Sequence, residues 1–148
     1  MIEASVSIRP AAPADAPRLA ALSTQLGYPM TPEEADERLA DLSRHADHTL
    51  LVADEGGRAA GWIQVSLTRI FESPVSAEIA GLVVDAEARG RGIGAALVAA
   101  AEDWAAEHGC GTVRVRCNVV RERAHAFYRR EGFREIKEQK VFERRIAD

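Results

Sequence analysis

The period of the apolar positions changes repeatedly along this chain, and each change marks an element. Val6-Ser7-Ile8 alternates as a short strand that Arg9-Pro10 ends. Leu19, Leu22 and Leu26 recur at helical spacing behind Asp15, a suitable cap, and Gly27-Tyr28-Pro29 breaks that helix. Thr31-Pro32-Glu33-Glu34 joins a capping threonine, a proline at the first helical position and the glutamate of a capping box. A second helix starts there, with Ala35, Leu39 and Leu42 as its apolar stripe. Residues 49–53 and 61–67 read as strands around Glu55-Gly56-Gly57-Arg58, whose paired glycines suit a tight antiparallel hairpin.

Residues 77–84 form the next strand, which enters a glycine-rich turn and leaves as a helix with Ile93, Leu97, Ala100, Ala101 and Trp104 at helical spacing. His108-Gly109 closes that helix. Residues 112–117 alternate as a strand, and their link to the preceding strand through a helix makes the pair parallel. Residues 121–131 form the last helix, and residues 133–146 are expected to fold into two closing antiparallel strands. The order β-α-α-β-β-β-α-β-α-β-β describes an α/β (α+β) protein with a mixed central sheet of about seven strands.

At 148 residues the chain fits one domain, 1–148. It is 47% hydrophobic and 28% charged, with no apolar run of membrane-spanning length, so no membrane partner is expected. The start, Met1-Ile2-Glu3-Ala4-Ser5, lacks the basic flank and apolar core of a signal peptide, and a cytoplasmic location is the expectation. An extended backbone between Cys110 and Cys117 would span roughly 23 Å, too far for a disulfide. No Cys/His cluster suggests a metal. Net charge is −4, with 11 Lys and Arg against 6 Asp and Glu in residues 114–148, and 8 against 17 before them. The acidic front suits a cationic acceptor, whereas nucleic-acid binding calls for a basic face.

Candidate chemistry centres on Arg89-Gly90-Arg91-Gly92-Ile93-Gly94. The first turn of a helix carries unpaired N–H groups and the positive end of its dipole, glycines let a ligand approach the backbone, and two arginines add charge. An anion is expected there. No Gly-Lys-Ser/Thr follows, which argues against a Walker loop, and the dinucleotide spacing Gly-x-Gly-x-x-Gly is missing.

Arg89-x-x-Gly92-x-Gly94 resembles the pyrophosphate loop of the GNAT superfamily, the acetyl-CoA-dependent N-acetyltransferases. Asn118, followed by Ala124-His125-Ala126-Phe127-Tyr128 and then Gly132-Phe133, resembles that family's later motif. The resemblance implies the GNAT fold with helices on both faces of the sheet, acetyl-CoA as cofactor and no metal. It also implies a parallel strand pair that splays so that the pantetheine arm reaches the freed backbone of Leu82, Val83 and Val84. Gly81 permits a bulge there. Arg89, Gly90, Arg91, Gly92, Ile93 and Gly94 are assigned to the pyrophosphate. Asn118 is assigned to closing the splay and contacting the arm, or to capping the next helix. The family further implies a homodimer, although the charges of residues 135–145 serve equally as edge protection for a monomer.

The amine acceptor, on a small molecule or a peptide, must lose a proton before it attacks, because an ammonium has no lone pair. Glu78, eleven positions before Arg89, matches the catalytic base of one family branch; a water relay is the alternative. Tyr128 matches the tyrosine that protonates the departing thiolate and also contacts the cofactor, and equally suits packing against Phe127 and Phe133. Tyr28 and Phe71, in loops, are candidate acceptor contacts. The activity implied is direct acetyl transfer in a ternary complex. The alternative is a non-catalytic acetyl-CoA-binding sensor or protein-interaction module.

Overall fold

The computed structural model describes residues 5–117 and 119–147. It divides into two compact units, residues 1–116 and 117–148. In the first, β1 (Val6–Pro10), α1 (Ala16–Leu26), α2 (Pro32–Leu42), β2 (His48–Glu55), β3 (Arg58–Thr68), β4 (Ser76–Val84), α3 (Ile93–Glu107) and β5 (Val113–Val115) follow in that order. The strands lie in sequence order across one sheet. The first three pairings are antiparallel, and β4–β5 is parallel.

Local chemistry explains the boundaries. Thr31 accepts from the Glu34 backbone N–H while the Glu34 side chain accepts from Thr31, so the capping box forms as its sequence indicates. Asp15 does not cap α1. Its carboxylate instead accepts from the Ala12 N–H at 2.7 Å and from Arg9, which also reaches Asp54. A bidentate guanidinium offers a carboxylate more than one backbone N–H does.

Alternation along β3 divides the core between the two sheet faces. Trp62 faces α1 and α2, where Leu19, Leu22, Val52, Ala59 and Val83 pack with Leu39 alongside. On the other face a Cβ on Gly61 would touch Leu97 of α3, so that helix covers the opposite side. Ile63, Val65 and Leu97 are wholly buried. Each such side chain contributes about 1.5–3 kcal/mol by leaving water.

In the second unit α4 (Glu122–Arg130) ends at Gly132, as expected. The sheet has five strands among the described residues, not about seven, because residues 133–147 form none. Ile136, Val141, Phe142 and Ile146 are all exposed, and residues 134–147 bury no side chain that could anchor a strand face. Between Phe133 and Asp148 there is also no Gly, Pro or Asn to turn a hairpin.

Candidate functional site

The site is built on β4. Gln64 opposes Gly81 and Val65 opposes Ile79, which leaves Ala80 as an extra residue, a β-bulge. Parallel pairing with β5 joins Ala77, Glu78 and Ile79 to Val113, Arg114 and Val115 and ends there among the described residues. The bulge and the end of the ladder therefore coincide, and Leu82, Val83 and Val84 continue along β3 without β5 on their other side. Backbone groups at such an edge seek partners, and an extended ligand arm can supply them. Gly81 gives the Trp62 indole its room: a Cβ would lie 2.9 Å from the ring, which would have to move.

Beyond Val84 the chain makes a single turn of 3-10 helix, Ala86–Ala88, capped by Asp85, and then the glycine loop. Gly90 and Gly92 have φ of 81° and 80°, left-handed values that side chains resist. Gly92 is the N-cap of α3, so Ile93 and Gly94 stand in its first turn with their N–H groups toward the loop. Arg89 is exposed and makes no hydrogen bond or ion pair among the described residues, whereas Arg91 donates to Glu55 at 2.6 Å. The donor set of N–H groups and a guanidinium fits a pyrophosphate.

Glu78 opposes Ser66 and so shares the α2 face of the sheet with Gln64 and Trp62. Its Oε1 forms an ion pair with the Arg116 Nε at 2.9 Å. On that face α2 and β3 border a cavity of about 460 Å³ lined by Glu37, Arg38, Asp41, Leu42 and Gln64. Glu37 and Asp41 outnumber Arg38 among its charged lining, which leaves it net negative by one and favours a cation. Tyr28 follows α1 with its backbone held by Ser23 and its ring exposed, and Phe71, between β3 and β4, is fully exposed.

In the second unit Tyr128 is buried between Phe127 and Phe133, with ring centroids 5.1 and 5.4 Å away. Burial pushes its hydroxyl well above the ordinary tyrosine pKa of 10; Cys117 adds to this and Arg121 opposes it. Tyr128 therefore stays protonated across the neutral range. Asn118 lies outside the described residues. Both cysteines are free thiols, and among the described residues no group of His, Cys, Asp and Glu is placed to hold a metal ion. No helix described is long and apolar enough to cross a membrane.

A sequence model of the Acetyltransferase (GNAT) family matches residues 17–133, which run through both units. The chain belongs to the GNAT family. Among curated relatives it is 30% identical over 139 residues to an aminoglycoside N(6')-acetyltransferase type 1 of Stenotrophomonas maltophilia, covering 91% of this chain and 90% of that one. Among solved structures it is similar to a transcriptional regulator of Bacillus halodurans, with TM-score 0.84, 25% identity and coverage of 93% and 99%. It also shares its fold with an aminoglycoside 6'-N-acetyltransferase of Acinetobacter baumannii, with TM-score 0.83, 22% identity and coverage of 96% and 99%.

Within this GNAT chain, the sequence motifs led to the glycine loop but not to the groups around it. Arg18, Gln25 and Glu55 contact the loop or its approach from α1 and β2, 36 to 67 positions away in sequence. Glu37, Asp41 and Gln64 belong to the cavity. The only sequence signal for the two carboxylates was the acidity of the chain's front, and Gln64 gave none.

Proposed function

We propose that this chain is an N-acetyltransferase that moves an acetyl group from acetyl-CoA to the primary amine of a small cationic molecule, by direct attack in a ternary complex. The observation that carries the reading is the coincidence on β4 of the Ala80 bulge with the end of parallel pairing at Ile79, just ahead of the glycine loop that opens α3. Family membership and the curated aminoglycoside relative support it. The two units act as one domain, 1–148, in the cytoplasm.

Acetyl-CoA, when bound, supplies an acetyl group activated as a thioester. The backbone of Leu82, Val83 and Val84 holds its extended arm, and Arg89 with the N–H groups of Gly92, Ile93 and Gly94 holds the pyrophosphate. Gly90 shapes that loop and Arg91 adds charge beside it. Asn118 takes its place at the arm from the motif alone. Glu37 and Asp41 attract the acceptor, and Tyr28 and Phe71 offer exposed rings to it.

An amine with a pKa of about 10.4 needs a proton acceptor near neutral pH. Glu78 fills that role, directly or through water, with the Arg116 guanidinium beside its Oε1. Tyr128 keeps its proton, so it serves the departing sulfur as a hydrogen-bond donor. Full transfer to a thiolate, whose conjugate thiol has a pKa near 8.5, runs uphill from so weak an acid.

The Glu78–Arg116 ion pair favours one other reading, a non-catalytic acetyl-CoA-binding module, because it occupies an oxygen of the carboxylate that a base would present to the amine. Thiol release from acetyl-CoA, measured with aminoglycosides, polyamines, amino acids and peptide amines, separates the two. Release that depends on an added amine establishes the enzyme. Acetyl-CoA that raises the melting temperature with no thiol release from any amine establishes the binding module.

A further inference from the structure

The turn between β4 and the glycine loop is held with unusual completeness. The Asp85 N–H donates to the Ala60 carbonyl at 2.8 Å, Ala86 to Gln25 Oε1 at 3.0 Å, Glu87 to Asp85 Oδ1 at 3.1 Å and Ala88 to the Asp85 carbonyl at 2.8 Å. Four successive N–H groups are thus fixed immediately before Arg89. Two of the groups involved come from α1. Arg18 Nη2 donates to Asp85 Oδ2 at 2.8 Å while its Nε donates to the Ala59 carbonyl at 3.0 Å. The Gln25 amide also turns its Nε2 toward Asp85 Oδ1 at 3.4 Å. Arg18 and Gln25 are seven positions apart, two helical turns, so they project from one side of α1.

We propose that Arg18 and Gln25 are positioning residues for the cofactor loop, acting through Asp85. This rests on the acetyl-CoA reading above. Two physical needs meet at this point. Loop N–H groups that must converge on an anion bind best when their directions are already fixed, because ordering them on binding costs affinity. Asp85 supplies that order as the cap of the 3-10 turn, but it is also a carboxylate, 8% exposed, four residues ahead of the first arginine of an anion site. Left alone, its charge would repel the ligand. Arg18 cancels the charge and, by also holding the Ala59 carbonyl, ties the turn to the start of β3. The hydrogen bond from Arg18 is the main reason the Asp85 carboxyl titrates below its ordinary value, and the Glu87 N–H is the next.

The role differs from general stabilisation, and the Arg9–Asp15–Asp54 network provides the comparison. It has the same chemistry and lies in the same unit, but it joins β1 and the start of α1 to β2 and contacts no part of the loop. Acetyl-CoA binding to the full chain is measured by titration calorimetry, without any amine, alongside melting temperatures of the ligand-free proteins. Arg18→Met is expected to weaken binding about tenfold or more and Gln25→Leu about threefold, whereas Arg9→Met lowers the melting temperature and leaves the dissociation constant within twofold of wild type. Arg18→Lys, which reaches Asp85 without bridging to Ala59, recovers part of the loss. Wild-type affinity in Arg18→Met, or an equal loss in Arg9→Met, overturns the positioning role. Absence of acetyl-CoA binding by the wild type overturns the acetyltransferase reading itself. If Arg18→Met fails to fold, Gln25→Leu and Arg18→Lys decide: both at wild-type affinity overturn the role.

Discussion

Arg91 donates to Glu55 across 2.6 Å, so the second arginine of the glycine loop is tied to the β2–β3 hairpin, while Arg89 extends into solvent. The two arginines of one motif thus stand in different electrostatic settings. Arg89→Ala is expected to weaken acetyl-CoA binding about tenfold. Glu55→Gln removes an anion beside the loop and is expected to tighten binding about two- to threefold at low salt, with the gain shrinking at high salt as charges are screened. Calorimetric titrations at two ionic strengths check both.

Tyr128→Phe keeps the ring between Phe127 and Phe133 and removes only the hydroxyl. Turnover on a good amine is expected to fall about 10²-fold while the acetyl-CoA dissociation constant stays within twofold, because the group acts on the departing sulfur. Steady-state kinetics and calorimetry on the same preparations make the test. Unchanged turnover would leave Tyr128 with packing alone.

Stability should fall on the acid side. Asp15 is held below its ordinary value of 3.8 chiefly by the Arg9 hydrogen bond, and Asp54 is held down by the same guanidinium. A carboxylate with a depressed folded pKa stabilises fully above its unfolded value and loses that contribution as pH falls through the folded one. The melting temperature is therefore expected to hold steady from pH 7 to about 5 and to drop below about pH 4. Arg9→Met is expected to lower it at pH 7 and to flatten the acid slope. Thermal melts across pH 2–7 check this.

The chain is expected to form a homodimer. Val141, Phe142 and Ile146 are exposed on a segment that makes no strand of its own, and apolar groups so placed favour a partner. Sedimentation at micromolar concentration should show a species at twice the 16.1 kDa chain mass, and Phe142→Asp should shift it toward the monomer. A single monomeric species in the wild type would remove the dimer.

Local chemistry explains which parts of this fold were legible beforehand. The Thr31 capping box, the Gly56-Gly57 turn and the glycine loop are encoded by neighbouring residues, and each forms where its sequence lies. The end of β5 was harder to place: residues 112–117 alternate throughout, yet among the described residues pairing stops at Val115, where the bulge on β4 diverts its neighbour. Residues 133–146 misled because charge and apolar content resembled an edge strand, while the missing turn residues were the better guide. Arg18 and Gln25 gave no sign of their contacts, since a polar residue on a helix does not reveal which distant carboxylate it will meet.

The indole of Trp62, set against Gly81 where β4 departs from β5, gives the molecule an optical reporter of its own. Its Nε1 is buried and has no hydrogen-bond partner among the described residues, so its emission is sensitive to any new polar neighbour or displacement of the strand. The chain has one other tryptophan, Trp104 of α3, whose ring lies 4.1 Å from that of His108 just beyond the helix. With Trp104 replaced by phenylalanine, the remaining fluorescence comes from the strand beside the gap. Ligand entry then becomes a spectroscopic signal that needs neither a known acceptor nor a chemical label.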